Sequence, residues 1–335
     1  MQRIPASPPY IAPIKDQYPR PLWSVMIPVY NCSNYLPEAI ESVLKQDMGK
    51  ALMQIEVVDD CSTDANVEEL VRKLGKGRVK YYKQEVNVGS LRNFETCINQ
   101  ARGKYVHLLH GDDRVKIGYY ASLTKLFDKF PEAGAAFCAW EHIDSEGNFS
   151  HQSRIEAKEP CVLENWLHKL AEFPRLQYVA ITVKREVYEK LGSFYLVHYG
   201  EDWEMWARIA KHYPTAYIPE FLAEYREHKN SITWRSYQSG QNIKDIAKVT
   251  AAIISYLPKK DQKKMLKIAN RNYVYWILNE TFSAWFISKN KTVVYNQIKT
   301  VLGIYRDNYV LSRITLLLFY IWTDPYRMYF KRRTT

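Results

Sequence analysis

Asp112 and Asp113 are the residues best placed to do chemistry. They follow the apolar run Tyr105–Leu109, then His110 and Gly111, and so stand at the end of what reads as a buried strand. Adjacent carboxylates at a strand end repel each other, and no lysine is next to them in sequence. A cation should neutralise them, and a divalent metal is the usual one. Taken alone, the pair fits equally well a solvated turn with two helix-capping acids. Other polar residues end other apolar runs. Tyr30 closes Ser24–Tyr30, and Asp60 follows Met53–Val58 in the turn Asp59-Asp60-Cys61-Ser62-Thr63-Asp64. Glu201 and Asp202 open a segment of helical periodicity that reaches His212.

These residues have to be positioned by alternating elements. The first apolar run is followed by a helix with Pro37 in its first turn and Leu36, Ile40, Val43 and Leu44 on one face. The second is followed by a helix through Val67, Leu70, Val71 and Leu74. A third strand covers Val79–Tyr82, and a helix through Phe94, Cys97, Ile98 and Ala101 stops at Gly103. Further strands are expected over Ala135–Trp140, over Gln177–Lys184 and, briefly, near Ala216–Ile218. Strands alternating with helices imply an α/β fold with a mostly parallel sheet. Ligands of such sheets bind beyond the carboxyl ends of the strands, where Tyr30, Asp60 and Asp112–Asp113 all fall. Beyond about residue 238 helical periodicity dominates, through 243–256, 262–287, 292–305 and 310–322. The expected organisation is a proline-rich, extended and poorly packed leader over 1–21, an α/β domain over 22–237 and a helical C-terminal region over 238–335.

The composition is that of a folded globular chain, 47% hydrophobic and 25% charged, with 26 tyrosines and 9 tryptophans. A formal net charge of +11 suits anionic partners such as nucleotide phosphates or anionic lipid. Neither zinc-finger spacing nor an arginine-rich tract supports nucleic acid. The five cysteines are odd in number and lack a CxxC pair, which fits reduced thiols in a cytosolic protein. No signal peptide is visible, and no apolar stretch reaches the roughly 18 residues of a transmembrane helix.

The ordered set Ile27-Pro28-Val29-Tyr30-Asn31, Val58–Asp64, Asn87-Val88-Gly89 with Arg92-Asn93, Gly111-Asp112-Asp113 and Glu201-Asp202-Trp203 closely resembles the family 2 glycosyltransferases of the GT-A fold, over about residues 23–233. The resemblance implies a Rossmann-like sheet flanked by helices, and an inverting enzyme that uses a nucleotide-activated sugar, often UDP- or dTDP-linked, with Mg or Mn. Two positions depart from the family pattern. Cys61 stands where the family usually has glycine, and His110 where it often has an aspartate.

The resemblance also implies roles. Pro28 and Tyr30 would line the nucleotide site, with Tyr30 able to stack on a base, a contact worth about 1–3 kcal/mol. Asp60 would read the base: its acceptor-only carboxylate can take the N3–H of uracil or thymine, which adenine and cytosine lack, so UDP or dTDP is favoured while GDP stays open. Arg92 would pair with the diphosphate. Asp112 would hold the ribose or assist the metal, Asp113 would bind the metal directly, and His228 in Tyr225-Arg226-Glu227-His228 would complete its shell, tipping the preference toward Mn. Asp202 would be the catalytic base, with Glu201 the second choice. Trp140 and Trp203 are candidates for sugar or acceptor contact; Trp203 and Trp206 fit either a sugar platform or the core, with core packing the better reading for Trp206.

The expected function is therefore transfer of a sugar from a nucleotide-sugar donor to a saccharide or lipid-linked acceptor in cell-surface glycan synthesis. A sugar nucleotidyltransferase is disfavoured, because Asn31-Cys32-Ser33-Asn34 offers neither the glycines nor the lysine of a phosphate loop. A non-catalytic nucleotide-binding, membrane-associated protein is the other alternative, and a dehydrogenase lacks its GxGxxG. The apolar run Ile314–Trp322, followed by Tyr326, Arg327, Tyr329, Lys331, Arg332 and Arg333, suits either a helix on an anionic membrane surface or a helix packed on the domain. The expected location is cytoplasmic, on the inner membrane face in the first case.

Overall fold

The computed structural model describes residues 2–15, 19–229 and 231–323. In chain order the elements are β1 (Trp23–Val29), α1 (Leu36–Leu44), β2 (Met53–Asp59), α2 (Val67–Gly75), β3 (Lys80–Lys83), α3 (Ser90–Gln100), β4 (Tyr105–Leu108), β5 (Arg114–Val115) and α4 (Tyr119–Lys129). Then come β6 (Ala135–Ile143), β7 (Phe149–Gln152), β8 (Cys161–Val162), α5 (Trp166–Glu172), a 3-10 turn (Tyr178–Ala180), β9 (Ile181–Lys184), α6 (Arg185–Leu191), α7 (Glu201–His212) and β10 (Thr215–Arg226). Five helices follow: α8 (Ile232–Ser239), α9 (Gln241–Tyr256), α10 (Lys259–Ser288), α11 (Lys291–Ile304) and α12 (Asn308–Thr323).

One sheet runs β3-β2-β1-β4-β9-β6-β10-β5, with β7 on β6 and β8 on β10. The half that ends in the acidic turns is parallel: β1 pairs with β2 and β4, and β2 with β3. β9 runs antiparallel to both β4 and β6, so the sheet as a whole is mixed. Because β1 is flanked by β2 on one side and β4 on the other, the strand order reverses there and opens a crevice at its carboxyl end. Pro28 is tolerated inside β1 because the β1–β4 ladder ends at Met26 and Leu108; beyond it the Pro28 carbonyl, not a missing N–H, accepts from the Gly111 amide at 3.2 Å.

Three local expectations are corrected. β10 is a single strand of 12 residues rather than a short one near 216–218. It absorbs Pro219 through register shifts against β6 between Ile218 and Phe221 and again before Ala223, and this carries Arg226 to the acidic turn after β4. Only Ile181–Lys184 of the segment 177–184 is strand. The leader is not poorly packed: Pro5, Pro9 and Ile11 are buried, and the carbonyls of Pro5 and Pro9 accept from the amides of Leu196 (3.0 Å) and Ser193 (2.9 Å).

The C-terminal helices pack on the α/β unit and on one another, α9 against α7, α10 against α5 and α9, and α11 and α12 against α10. α12 buries Val310, Ile314, Leu317 and Ile321, one face at helical spacing, and leaves Leu311, Leu318, Phe319 and Trp322 exposed. Among the described residues no helix is long and apolar enough to cross a membrane. The basic cluster from Tyr326 to Arg333 lies outside the described residues. All five cysteines are free thiols.

Candidate active site

The turn after β4 is built around the absence of a side chain. A Cβ on Gly111 would lie 2.9 Å from Cys32 Sγ and 3.0 Å from Val29 Cγ2, so only glycine lets this loop close on β1. The closure sets Asp112 and Asp113 at the crevice. Asp113 is buried, and its Oδ1 accepts the Arg226 amide at 2.8 Å. Burial and the charge of Asp112 push the Asp113 carboxyl well above the usual range, against the pull of Arg226. Burial acts on Asp112 too, but the hydrogen bond from His228 Nε2–H to its Oδ2 (3.0 Å) and neighbouring imidazole charge outweigh it, holding this carboxyl low. One acid of the pair is thus kept ionised at the expense of the other.

Arg226 is a functional residue the sequence reading missed. Its fully buried guanidinium donates to the Asp112 carbonyl (2.8 Å), to the carbonyls of Asp144 and Ser145 (3.2 Å each) and to Glu38 Oε2 (2.8 Å), and it lies over the Tyr35 ring. It holds the acidic turn from behind. His110 is the second residue missed. Its ring stacks on Phe94 and packs on Tyr178, and its buried Nε2 has no hydrogen-bond partner.

At the ends of β1 and β2, Tyr30 is 44% exposed, as a stacking ring must be, whereas Pro28 is buried and contributes its carbonyl to the Gly111 turn. The two turns are stitched together: the Asn31 amide donates to Ser62 Oγ (3.0 Å), the Thr63 amide to Asn31 Oδ1 (2.8 Å) and the Ser33 amide to Asp64 Oδ2 (2.9 Å). Asp59 serves the turn, accepting from the Ser62 amide and the Tyr81 hydroxyl. Cys61 adopts φ +62°, the left-handed conformation that glycine takes without strain. Asp60 is buried. Its carboxylate accepts from the amides of Val88 (2.7 Å) and Gly89 (2.9 Å) and from Asn87 Nδ2 (2.9 Å). Burial raises its pKa in spite of these donors. Arg92 is not directed at a diphosphate in this conformation: it pairs with Glu95 at 2.6 Å and donates to the Gln2 carbonyl at 2.9 Å.

α7 supplies the remaining acids, with Gly200 (φ +89°) as its N-cap. Burial lifts the Asp202 carboxyl to about 6, which suits a base working near neutral pH. Glu201 is pushed well above the usual carboxylate range by burial and by Asp202, and accepts from the Tyr178 hydroxyl at 3.2 Å. Tyr178 packs on His110, so one ring links α7 to the turn after β4. Trp203 is corrected to a packing residue: it is buried and its indole N–H donates to the Leu170 carbonyl at 2.7 Å. Trp206 is buried in the core. Trp140 is also buried; its indole N–H donates to His142 Nε2 at 3.1 Å, and His142 Nδ1 lies 2.9 Å from Glu227 Oε1.

His110, Asp112 and Asp113 each offer a ligand atom, and these lie within 4.8 Å of one another. The set of one imidazole and two carboxylates, with a buried imidazole nitrogen lacking a partner, fits a divalent cation of the Mg or Mn type. His228 stands one step away. Its Nε2 orients Asp112, and its buried Nδ1 has no partner.

Residues 24–192 match the family model described as glycosyl transferase family 2. Bacillus subtilis TuaG, named as a teichuronic acid biosynthesis glycosyltransferase, is 25% identical over 262 residues, 73% of this chain and 98% of TuaG. The minor teichoic acid biosynthesis protein GgaB of the same organism is 34% identical over 110 residues, 32% of this chain but 12% of GgaB. The crystal structure of S. aureus TarS in complex with UDP-GlcNAc shares the fold, with a TM-score of 0.62 at 17% identity over 84% of this chain and 80% of that one. With a strand-order reversal at β1, a reversed strand β9 and flanking helices, the architecture is that of GT-A glycosyltransferases. The chain belongs to glycosyl transferase family 2 and is a glycosyltransferase.

Proposed function

We propose that this enzyme moves a sugar, with inversion, from a UDP- or dTDP-linked donor to a saccharide or lipid-linked acceptor of a cell-surface polysaccharide. The observation that carries the reading is the convergence of Tyr30, Asp60 and Asp112–Asp113 at three neighbouring strand ends, with Asp202 on the helix linked to them through Glu201, Tyr178 and His110. Residues 22–237 would carry the transfer chemistry and 238–335 would support it. Tyr30 stacks on the base and Asp60 accepts its imide N–H. His110, Asp112 and Asp113 would hold Mg or Mn, with His228 orienting Asp112. A bound cation would offset charge on the departing diphosphate. The acceptor hydroxyl attacks the anomeric carbon opposite the diphosphate. A new carbon–oxygen bond forms as the sugar–phosphate bond breaks, the bonding pair leaves with the nucleoside diphosphate, and Asp202 takes the hydroxyl proton.

TarS is named as a poly(ribitol-phosphate) β-N-acetylglucosaminyltransferase. With TuaG and GgaB it supports an envelope polymer as acceptor and a UDP-sugar as donor. A panel of nucleotide-sugars, scored by thermal shift with Mn present, tests the donor. Stabilisation by UDP- or dTDP-sugars over GDP-, ADP- and CMP-linked ones is expected, and preference for any of the latter would overturn the base assignment. The exposed apolar residues of α12 support a peripheral place on anionic membrane. Co-sedimentation with anionic liposomes at low salt should then fall when the chain is cut at residue 307, and equal recovery of both forms in the supernatant would remove the membrane.

A further inference from the structure

Residues 2–12 do more than cover the fold. They run along the loop after α6 and on to the start of α3. Besides the bonds from Leu196 and Ser193, the Ala12 carbonyl accepts from Arg185 Nη2 at 3.1 Å, and the Gln2 carbonyl from Arg92 Nε at 2.9 Å. The receiving surface is shaped for this chain. A Cβ on Gly192 (φ +78°) would come within 2.7 Å of the Pro9 carbonyl oxygen. The docked segment brings Arg3 to the end of β2. The Arg3 guanidinium donates to Asn87 Oδ1, and its Nε lies 3.0 Å from where a Gly89 Cβ would stand, so the absence of a side chain at Gly89 is what admits it. Asn87 in turn donates through Nδ2 to both the carboxylate and the carbonyl oxygen of Asp60. Arg3 is exposed, and its charge acts on the Asp60 carboxyl.

We infer that Arg3 is a base-reading residue of the donor site, contributed by the leader; this rests on the uracil- or thymine-nucleotide reading above. The imide edge of such a base presents a carbonyl, an N–H and a second carbonyl. Asp60 is an acceptor for the N–H. The planar guanidinium beside it supplies donors in a fixed fork for the neighbouring O4. Cytosine puts an amino group at that position, which a guanidinium repels. The diphosphate is a poorer partner for Arg3, because the candidate metal turn ends β4, two strands over and so about 10 Å away.

The test is calorimetric titration of the full chain, wild type and Arg3→Ala, with UDP, dTDP and CDP in the presence of Mn. Arg3 is exposed, so its removal should leave the melting temperature unchanged. UDP affinity should fall about tenfold, CDP affinity should hold or rise as the repulsion is relieved, and the preference for UDP should narrow at least about tenfold. In turnover the donor KM should rise with kcat retained, and Arg3→Lys should recover only part of the loss, since it keeps the charge without the fork. Unchanged UDP affinity in Arg3→Ala would overturn the inference. So would equal losses for UDP and CDP, which would put Arg3 on the phosphates, and so would tighter UDP binding, which would make the leader an obstruction. Wild-type chain that binds neither UDP nor dTDP would remove the donor reading itself and this contact with it.

Discussion

The parallel half of the sheet and the C-terminal helices solve opposite problems. β3, β2, β1 and β4 end in short turns whose residues are fixed individually, with Gly111 too close to Val29 and Cys32 for any side chain and Asp60 held by three N–H donors. The helices from α8 onward contribute none of the acids, yet they position one of them. Ile246 of α9 packs where a Cβ on Gly200 would be only 2.8 Å away. Asp245 accepts the Tyr199 amide at 3.2 Å, and the Tyr256 hydroxyl donates to Glu204 of α7. The first region places groups by backbone geometry and the second by packing against a helix. The proposed glycosyltransferase site needs both, because its candidate metal turn is on the sheet and its candidate base is on α7.

The strongest way to break this comparison is at the junction. Glu204 is fully buried between Arg208 (3.1 Å) and Tyr256. Glu204→Ala leaves the Arg208 guanidinium buried beside a cavity and should cost about 3–5 kcal/mol, read as a fall in the denaturation midpoint. A loss below 1 kcal/mol would mean that α9 does not brace α7. Next comes the sheet side. Asp113→Asn should weaken UDP binding on the order of 100-fold and abolish its response to chelator, while the melting temperature holds or rises, because burial already disfavours the charged carboxylate. Equal UDP affinity with and without divalent cation, measured by calorimetry, would remove the metal from the site.

The smallest effect tests the backbone itself. Holding Cys61 at φ +62° costs about 1–2 kcal/mol, and a glycine there gives back about 0.5–1 kcal/mol in unfolded-state entropy. Cys61→Gly should therefore stabilise the chain by about 0.5 kcal/mol with unchanged donor affinity. Destabilisation by urea titration would show that the thiol has packing value the turn depends on.

Much of the sheet side was legible because each functional turn is local: an apolar run, then glycine, asparagine or acid within a few residues. The four long C-terminal helices were legible from periodicity. What escaped notice was non-local or disguised. Arg226 meets Asp113 across 113 residues of sequence, and nothing near either residue announces the other. Pro219 made β10 look short, whereas the strand bulges and continues. β7 is polar and exposed, Phe149-Ser150-His151-Gln152, and leaves no alternation to read. The leader read as poorly packed from its prolines, but Pro5 and Pro9 are held through their carbonyls, which proline keeps. His110 was noted as a departure from the family pattern, and only the fold shows its unpartnered nitrogen among the acids. Trp203 stayed open between sugar contact and core packing because an indole beside an acidic motif looks the same in sequence in either role.

In the proposed reaction Asp202, on a helix braced by the C-terminal region, is the base for a donor held by the sheet. Its carboxyl, raised by burial to about 6, must be ionised to accept a proton, so kcat/KM should rise with pH through about 6 and then level. Stability runs the other way: the folded state binds this proton more tightly than the unfolded chain, so its contribution declines as pH climbs from the ordinary carboxylate value of 3.8 to about 6. The most direct measurement is donor binding and turnover of Asp202→Asn on the same preparation. UDP-sugar affinity should stay within about twofold of wild type, while turnover falls on the order of 1,000-fold and the pH step near 6 disappears. Near-wild-type turnover on the cognate acceptor, with the step intact, would contradict the account and move the base elsewhere, with Glu201 next to be examined.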